Sequence, residues 1–269
     1  MFPRWVNALL PGPGRGTGTV SDPYIPVSRR LLFPMQGDPM PKVLNVAKRA
    51  GSQARKTSAG KTGTSHARDA EATQKRILAA AKKEFAMNGL AGARVDTIAE
   101  KAEANKRMIY HYFGSKEALF ERVLEDAYAD ICRAEQSLKL DHLDPKTALE
   151  TLVRFTWQYY LDNPEFLTLV NNENLQKAVH LHGSKVLPVI SRNRLDMVES
   201  LLARGEKAGI FRRGIDAMQL NITIAAVGYY YITNRFTGSI IFDCDFMASG
   251  MLRKRLAFNI DTIVRTVCK

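Results

Sequence analysis

Cysteine is scarce and scattered in this chain: three among 269 residues, at Cys132, Cys244 and Cys268, with no CxxC pair and no histidine at zinc-finger spacing. That excludes a disulfide framework and a structural zinc knuckle, and it suits a reduced, cytoplasmic setting. Long hydrophobic runs are missing too. LNITIAAVGYYYIT (220–233) is interrupted by Asn221 and is shorter than the roughly 20 apolar residues that span a bilayer. The N-terminal WVNALL meets Pro11, Gly12, Pro13 and Gly14 at once, with only Arg4 ahead of it; a signal peptide has a longer apolar stretch. No membrane partner is expected. No segment alternates apolar and polar residues strictly, so strands are not expected and the fold class is all-α. There is no nucleophile elbow, metal triad, cofactor loop or credible pair of carboxylates, so neither an enzyme nor a bound cofactor or metal is expected. GPGRGTG (12–18) has no strand before it and no helix after it. Gly60-Lys61-Thr62 has Arg55 where a phosphate loop needs its first glycine. Both nucleotide readings fail on context.

Positive charge is abundant. The net charge is +12, and residues 1–68 carry most of it, with eleven Lys/Arg against Asp22 and Asp38. These residues are rich in Pro, Gly, Ser and Thr and have no sustained period, so they cannot offset the entropy of ordering. The expectation is a disordered basic tail over 1–68, with Met35 and Met40 as alternative starts.

From residue 70 the pattern is helical. EATQKRILAAAKKEFAMNG (71–89) sets Ile77, Ala81 and Phe85 on one face, with Thr73 as N-cap and Gly89 as stop. A short helix follows at 95–102, a turn at 103–105, and a second short helix, KRMIYHYF (106–113), capped by Asn105. Gly114 breaks it, and Ser115 caps a long helix over 117–138. Further helices are expected at 145–162, 164–178, 185–208 (bent near Pro188), 216–234 and 248–267, about nine in all.

Two short helices joined by a tight turn make a helix-turn-helix, whose second helix must face both the domain core and a major groove. Ile109, Tyr112 and Phe113 fit the inward face. Lys106, Arg107, Tyr110 and His111 fit the outward one, with donors for phosphates and base edges. Ser115 and Lys116 open the next helix, whose N-terminal amides favour a phosphate.

ATQKRILAAAKKEFAMNG followed by VDTIAEKAEANKRMIYHYFGSKEALF resembles the DNA-binding domain of TetR/AcrR-type transcriptional regulators, strongly over 71–120. The resemblance implies a DNA-binding domain at 69–116 and an effector-binding and dimerisation domain at 117–269. It also implies a homodimeric repressor that leaves a palindromic operator on double-stranded DNA when a small molecule enters the C-terminal domain. The chain departs from the family pattern at Glu103, where the turn commonly has glycine, and at Arg94, where a hydroxyl commonly caps the second helix. Arg107 and Met108 stand where small residues are common. Arg94 and Met108 therefore join the DNA-facing candidates, and Arg107 is the first candidate for reading bases. DNPEFLTLVNNEN (162–174) and YYYITNRFTGSIIF (229–242) resemble the RutR-like subgroup, which implies a small aromatic or heterocyclic catabolite as effector.

Trp157 and Phe166, with Tyr160, read either as core or as walls of an effector cavity. Asn171 and Asn174 either face solvent, bond a neighbouring helix or touch the ligand. Tyr230 and Arg235 are candidates to close the same cavity. His180 and His182 read as loop residues without a metal, and Arg253-Lys254-Arg255 as the wet face of the last helix. Leu252, Leu256, Ile260, Ile263 and Val267, with Leu220, Ile224, Val227 and Tyr231, form stripes expected to build a four-helix dimer interface through the last two helices. A non-specific DNA- or membrane-coating role for the basic tail is the competing reading.

Overall fold

The structure, a computed structural model, describes residues 62–269, with side chains from Arg68 onward. The expected tail up to residue 61, the near-motifs at 12–18 and 60–61 and the starts Met35 and Met40 lie outside the described residues. Within them the chain forms ten α-helices, a short 3-10 turn and no strand. The helices are α1 Thr62–Gly92, α2 Val95–Lys101, α3 Lys106–Phe113, α4 Lys116–Gln136, α5 Pro145–Asp162, α6 Pro164–Leu175, α7 Val186–Lys207, α8 Ala217–Thr233, α9 Arg235–Ile241 and α10 Ser249–Val267.

Local chemistry sets most of the boundaries. Asn105 Oδ1 accepts from the Arg107 amide at 2.9 Å, Ser115 Oγ from the Ala118 amide at 3.0 Å and Asp144 Oδ1 from the Thr147 amide at 3.1 Å. Each such cap contributes about 1 kcal/mol. Gly89, at φ +65°, stops the long run of α1 as expected. The start of α1 differs from expectation. The helix begins at Thr62, inside the stretch read as tail, and Thr73 is not its cap. The Thr73 hydroxyl donates to the Asp69 carbonyl one turn back at 2.8 Å, as a mid-helix threonine does. The count differs as well. The unexpected α9 has only seven residues, too few for a period to show in the sequence.

Three apolar clusters organise the packing. Ile77, Phe85, Ile98, Ile109, Leu119 and Phe120 form the core of an N-terminal head, which Leu169 of α6 also enters. Leu149, Leu152, Leu201, Phe211, Ile224 and Ile263 form a second core, and Trp157, Tyr160, Phe166, Tyr231 and Phe246 an aromatic third. A Cβ on Gly205 would lie 1.9 Å from the Phe211 ring, so α7 passes the fully buried Phe211 only because residue 205 has no side chain.

The stripe expected at a dimer interface is largely consumed inside the subunit. Ile260, Ile263, Val267, Leu220, Ile224 and Tyr231 are all buried, because α10 packs across α5 and α8 of its own chain. Arg255 also turns inward, donating to the Val227 carbonyl at 3.0 Å instead of facing water.

Candidate nucleic-acid interface and effector site

Helix α3 is held from behind and open in front. Ile109 is 1% exposed, and Tyr112 and Phe113 pack half-buried against the head core. Arg107, Tyr110 and His111 project outward. Among the described residues the Arg107, Tyr110 and His111 side chains make no hydrogen bond or ion pair, so their donors are available to a ligand. Lys106 is partly committed, with its ammonium 2.7 Å from Asp96 Oδ1 at the start of α2, which raises its pKa. Lys116 Nζ donates to the Ala91 carbonyl at 3.3 Å and ties the start of α4 to the end of α1. Arg94 is exposed at the N-cap of α2 without a side-chain cap bond, and Met108 is half-buried.

The turn between α2 and α3 is braced from two sides. Arg76 Nε donates to the Ala102 carbonyl at 3.0 Å. The buried Glu84 carboxylate accepts from Lys101 Nζ at 2.9 Å and from Asn88 Nδ2 at 2.8 Å. Those bonds, the Lys101 ammonium first, hold its pKa below the ordinary value despite burial. The sequence reading missed these two supports.

The C-terminal domain gathers some of the expected effector residues and scatters the rest. Phe166 is buried with ring centres 5.5 Å from Tyr128 and 6.1 Å from Tyr160, and Tyr160 lies 6.3 Å from Tyr229. Asn171 accepts a hydrogen bond from the Tyr229 hydroxyl, so it bonds a neighbouring helix. Trp157 is buried, with its ring 5.7 Å from that of Tyr231. Asn174, Tyr230 and Arg235 do not line this interior. Asn174 is exposed and donates back to the Val170 carbonyl, and Tyr230 is 68% exposed. The Arg235 guanidinium covers the Phe236 ring at 4.3 Å. The reason is helical phase. One residue turns a side chain by about 100°, so Tyr229 faces inward where Tyr230 cannot.

Two matches identify the chain's relatives. Residues 77–123 match the family described as "Bacterial regulatory proteins, tetR family", and residues 145–263 match "Tetracyclin repressor-like, C-terminal domain". The HTH-type transcriptional repressor NicS of Pseudomonas putida is 38% identical over 205 residues, 76% of this chain and 96% of NicS. The chain belongs to the TetR family of transcriptional regulators. RutR of Escherichia coli K12 is 33% identical over 118 residues, 44% of this chain and 55% of RutR, in keeping with the subgroup resemblance. A regulator from Saccharomonospora viridis, solved in complex with choline, shares the fold at TM-score 0.59 and 16% identity, over 74% of this chain and 99% of that one. The TetR family is one of regulators, so the enzymatic alternative falls.

In this TetR-family chain α6 joins the two regions. Asn171 meets Tyr229 in the aromatic interior, and Glu173, two residues on, points into the head. The Glu173 carboxylate accepts from the His180 amide at 2.8 Å and lies 2.8 Å from His180 Nδ1. The His180 ring stands edge-on to Phe120 of α4 at 5.2 Å. A groove of about 450 Å³ opens beside it, lined by the end of α1, the start of α4 and residues 172–180. His180, read from sequence as a loop residue, is therefore part of the junction. Among the described residues no cluster of metal ligands is present, and no helix is long and apolar enough to cross a membrane.

Proposed function

We propose that the protein is a homodimeric, cytoplasmic repressor that reads a palindromic operator through α3 and releases it when a small molecule enters the aromatic interior of the C-terminal domain. The observation that carries this reading is the free outer face of α3, with Arg107, Tyr110 and His111 exposed beside the buried Ile109. Arg107, near the capped N-terminus, reads a base edge. Tyr110, His111 and Lys116 hold phosphates, and Lys106 and Arg94 add charge. Phe166 and Asn171, with Tyr160 and Tyr229, form the effector wall, and Trp157 backs it. The effector is an aromatic or heterocyclic small molecule, in keeping with those rings. The dimer forms through the outward faces of α8 and α10, which places two α3 helices about 34–36 Å apart for successive major grooves.

The test is a binding selection of the full-length chain against random duplexes at near-physiological salt. The expected result is enrichment of a palindrome. Arg107→Ala then weakens binding to it about 10- to 100-fold and relaxes one base pair in each half-site. Equal binding to all duplexes with a steep salt dependence would overturn the repressor reading in favour of a coating role.

A further inference from the structure

Helix α2 ends in a left-handed turn that its own sequence disfavours. The Glu103 amide donates to the Glu100 carbonyl at 3.1 Å, and the Ala104 amide to the Ala99 carbonyl at 3.0 Å. This pair of bonds is the Schellman closure, which needs the residue after the cap in the left-handed region and is usually built on glycine. Here that residue is Glu103, at φ +49°. Its Cβ crowds the backbone in this conformation, so the turn leans towards opening.

The closing bonds serve the Ala99 and Glu100 carbonyls and leave the Ala102 carbonyl, at the cap itself, to an outside donor. Arg76 of α1 supplies it, with Nε 3.0 Å from the Ala102 oxygen. A guanidinium also suits the negative end of a helix. Arg76 is held in turn. Its Nη2 donates to Thr73 Oγ1, one turn back, at 3.3 Å. The next residue, Ile77, is fully buried in the core of the head. Beyond Ala102 only Glu103, Ala104 and Asn105 precede α3, and Asn105 already caps that helix. The torsions of three residues therefore set the direction in which α3 leaves the head.

We propose that Arg76 is a positioning residue for operator recognition. By holding the Ala102 carbonyl it keeps the turn closed on a glutamate, where glycine would close it unaided. It thereby fixes the angle at which Arg107, Tyr110 and His111 meet the major groove, and it acts without touching DNA. The proposal rests on the reading of α3 as the recognition helix. Hydrogen bonds to base edges demand exact placement, whereas attraction to phosphates is shared by every duplex. The clamp therefore matters to the operator and little to unrelated DNA. It also becomes dispensable once residue 103 has no Cβ.

The experiment is a mutant cycle on the full-length chain: Arg76→Met, Glu103→Gly and the double variant. Anisotropy measures each against the selected operator and an unrelated duplex over a range of salt. Arg76 is exposed, so methionine removes its donors and opens no cavity. Arg76→Met is expected to weaken operator binding about tenfold, the size of the strain it leaves unopposed. Binding to the unrelated duplex and the slope of log affinity against log salt should stay as in wild type, because no phosphate contact is lost. In the Glu103→Gly background the same substitution should have no effect, so the double variant binds operator as Glu103→Gly does. Hydrogen exchange reads the clamp without DNA. The Glu103 and Ala104 amides should exchange faster in Arg76→Met and return to the wild-type rate in the double variant.

A salt slope reduced by about one per head, with no rescue by glycine, would overturn the proposal and make Arg76 a phosphate contact. An equal loss on both duplexes, an unchanged operator affinity, or turn amides that exchange alike in wild type and Arg76→Met would overturn it too. A wild-type chain that selects no operator would overturn the recognition reading of α3 instead, and the exchange rates of the turn amides would still decide the clamp.

Discussion

Glu103 sits in the turn between α2 and α3 at φ +49°, in the left-handed region. A residue with a Cβ pays about 1–2 kcal/mol there, and asparagine tolerates the conformation better because its short amide can bond locally. Glu103→Asn is therefore expected to raise stability in urea by about 0.5–1 kcal/mol. It also removes a negative charge beside the DNA-facing helix, so operator affinity at low salt should increase. An unchanged midpoint would mean that the turn is not strained at this residue. Glu84 makes the opposite case, an acid the fold needs charged. Its pKa is lowered mainly by Lys101, so the folded protein holds fewer protons than the unfolded chain across the carboxylate range. The stability this supplies is complete above the unfolded value and drains away as pH falls through the lowered one. Glu84→Gln should cost about 1–2 kcal/mol at pH 7 and should converge with wild type at acid pH. Denaturant titrations at pH 7 and pH 4 check both statements, and a constant difference at both pH values would exclude the ionic account.

At the scale of elements, α6 joins two sites that lie on different faces of one helix. Asn171 reports to Tyr229, and Glu173 fixes His180 against Phe120 in the head. His180→Ala removes the ring between α6 and α4 while touching neither α3 nor the aromatic interior. Operator binding and effector binding should both persist, but the effector should lower operator affinity less, and the coupling to be lost is about 1–3 kcal/mol. Full release by effector in this variant would show that the signal takes another route. The helices themselves were legible because their signals are local: Asn105 and Ser115 as caps, Gly89 as stop, Ile77, Ala81 and Phe85 as one face. The short α9 has no such signal, and the start of α1 was hidden by the polar composition before Thr73. The outer face of α3 could be read because exposed side chains follow from helical phase alone. The interior could not be read in the same way, since which of Tyr229 and Tyr230 turns inward depends on how α8 sits against α5. One signal was present and unread. Glu135 and Arg194 occupy the apolar register of their helices, four residues from Ile131 and Val198, and each is an ionic group at a core position.

For the whole molecule, the apolar surface left outside is the face on which the proposed dimer would form. With the stripe of α10 spent inside, Ile222 and Tyr230 of α8, Phe236 and Ile240 of α9 and Phe258 of α10 remain more than half exposed. Burying such side chains against a partner stabilises by about 25 cal/mol per Å² of apolar area, and α9 extends the face beyond the two helices expected from sequence. Both copies would use the same face, as a two-fold dimer requires. Ile222→Glu combined with Phe258→Glu places two charges on this surface and none in the core, so the helical content and unfolding transition of the monomer should be preserved. Sedimentation should then show a monomer, and operator binding should fall by orders of magnitude, because each α3 engages its half-site without the help of the other. A half-site duplex should be bound equally by variant and wild type at the level of one head. If the double variant still sediments as a dimer and holds the palindrome, the apolar face of α8, α9 and α10 serves a different partner, and the spacing of the two recognition helices must be set elsewhere.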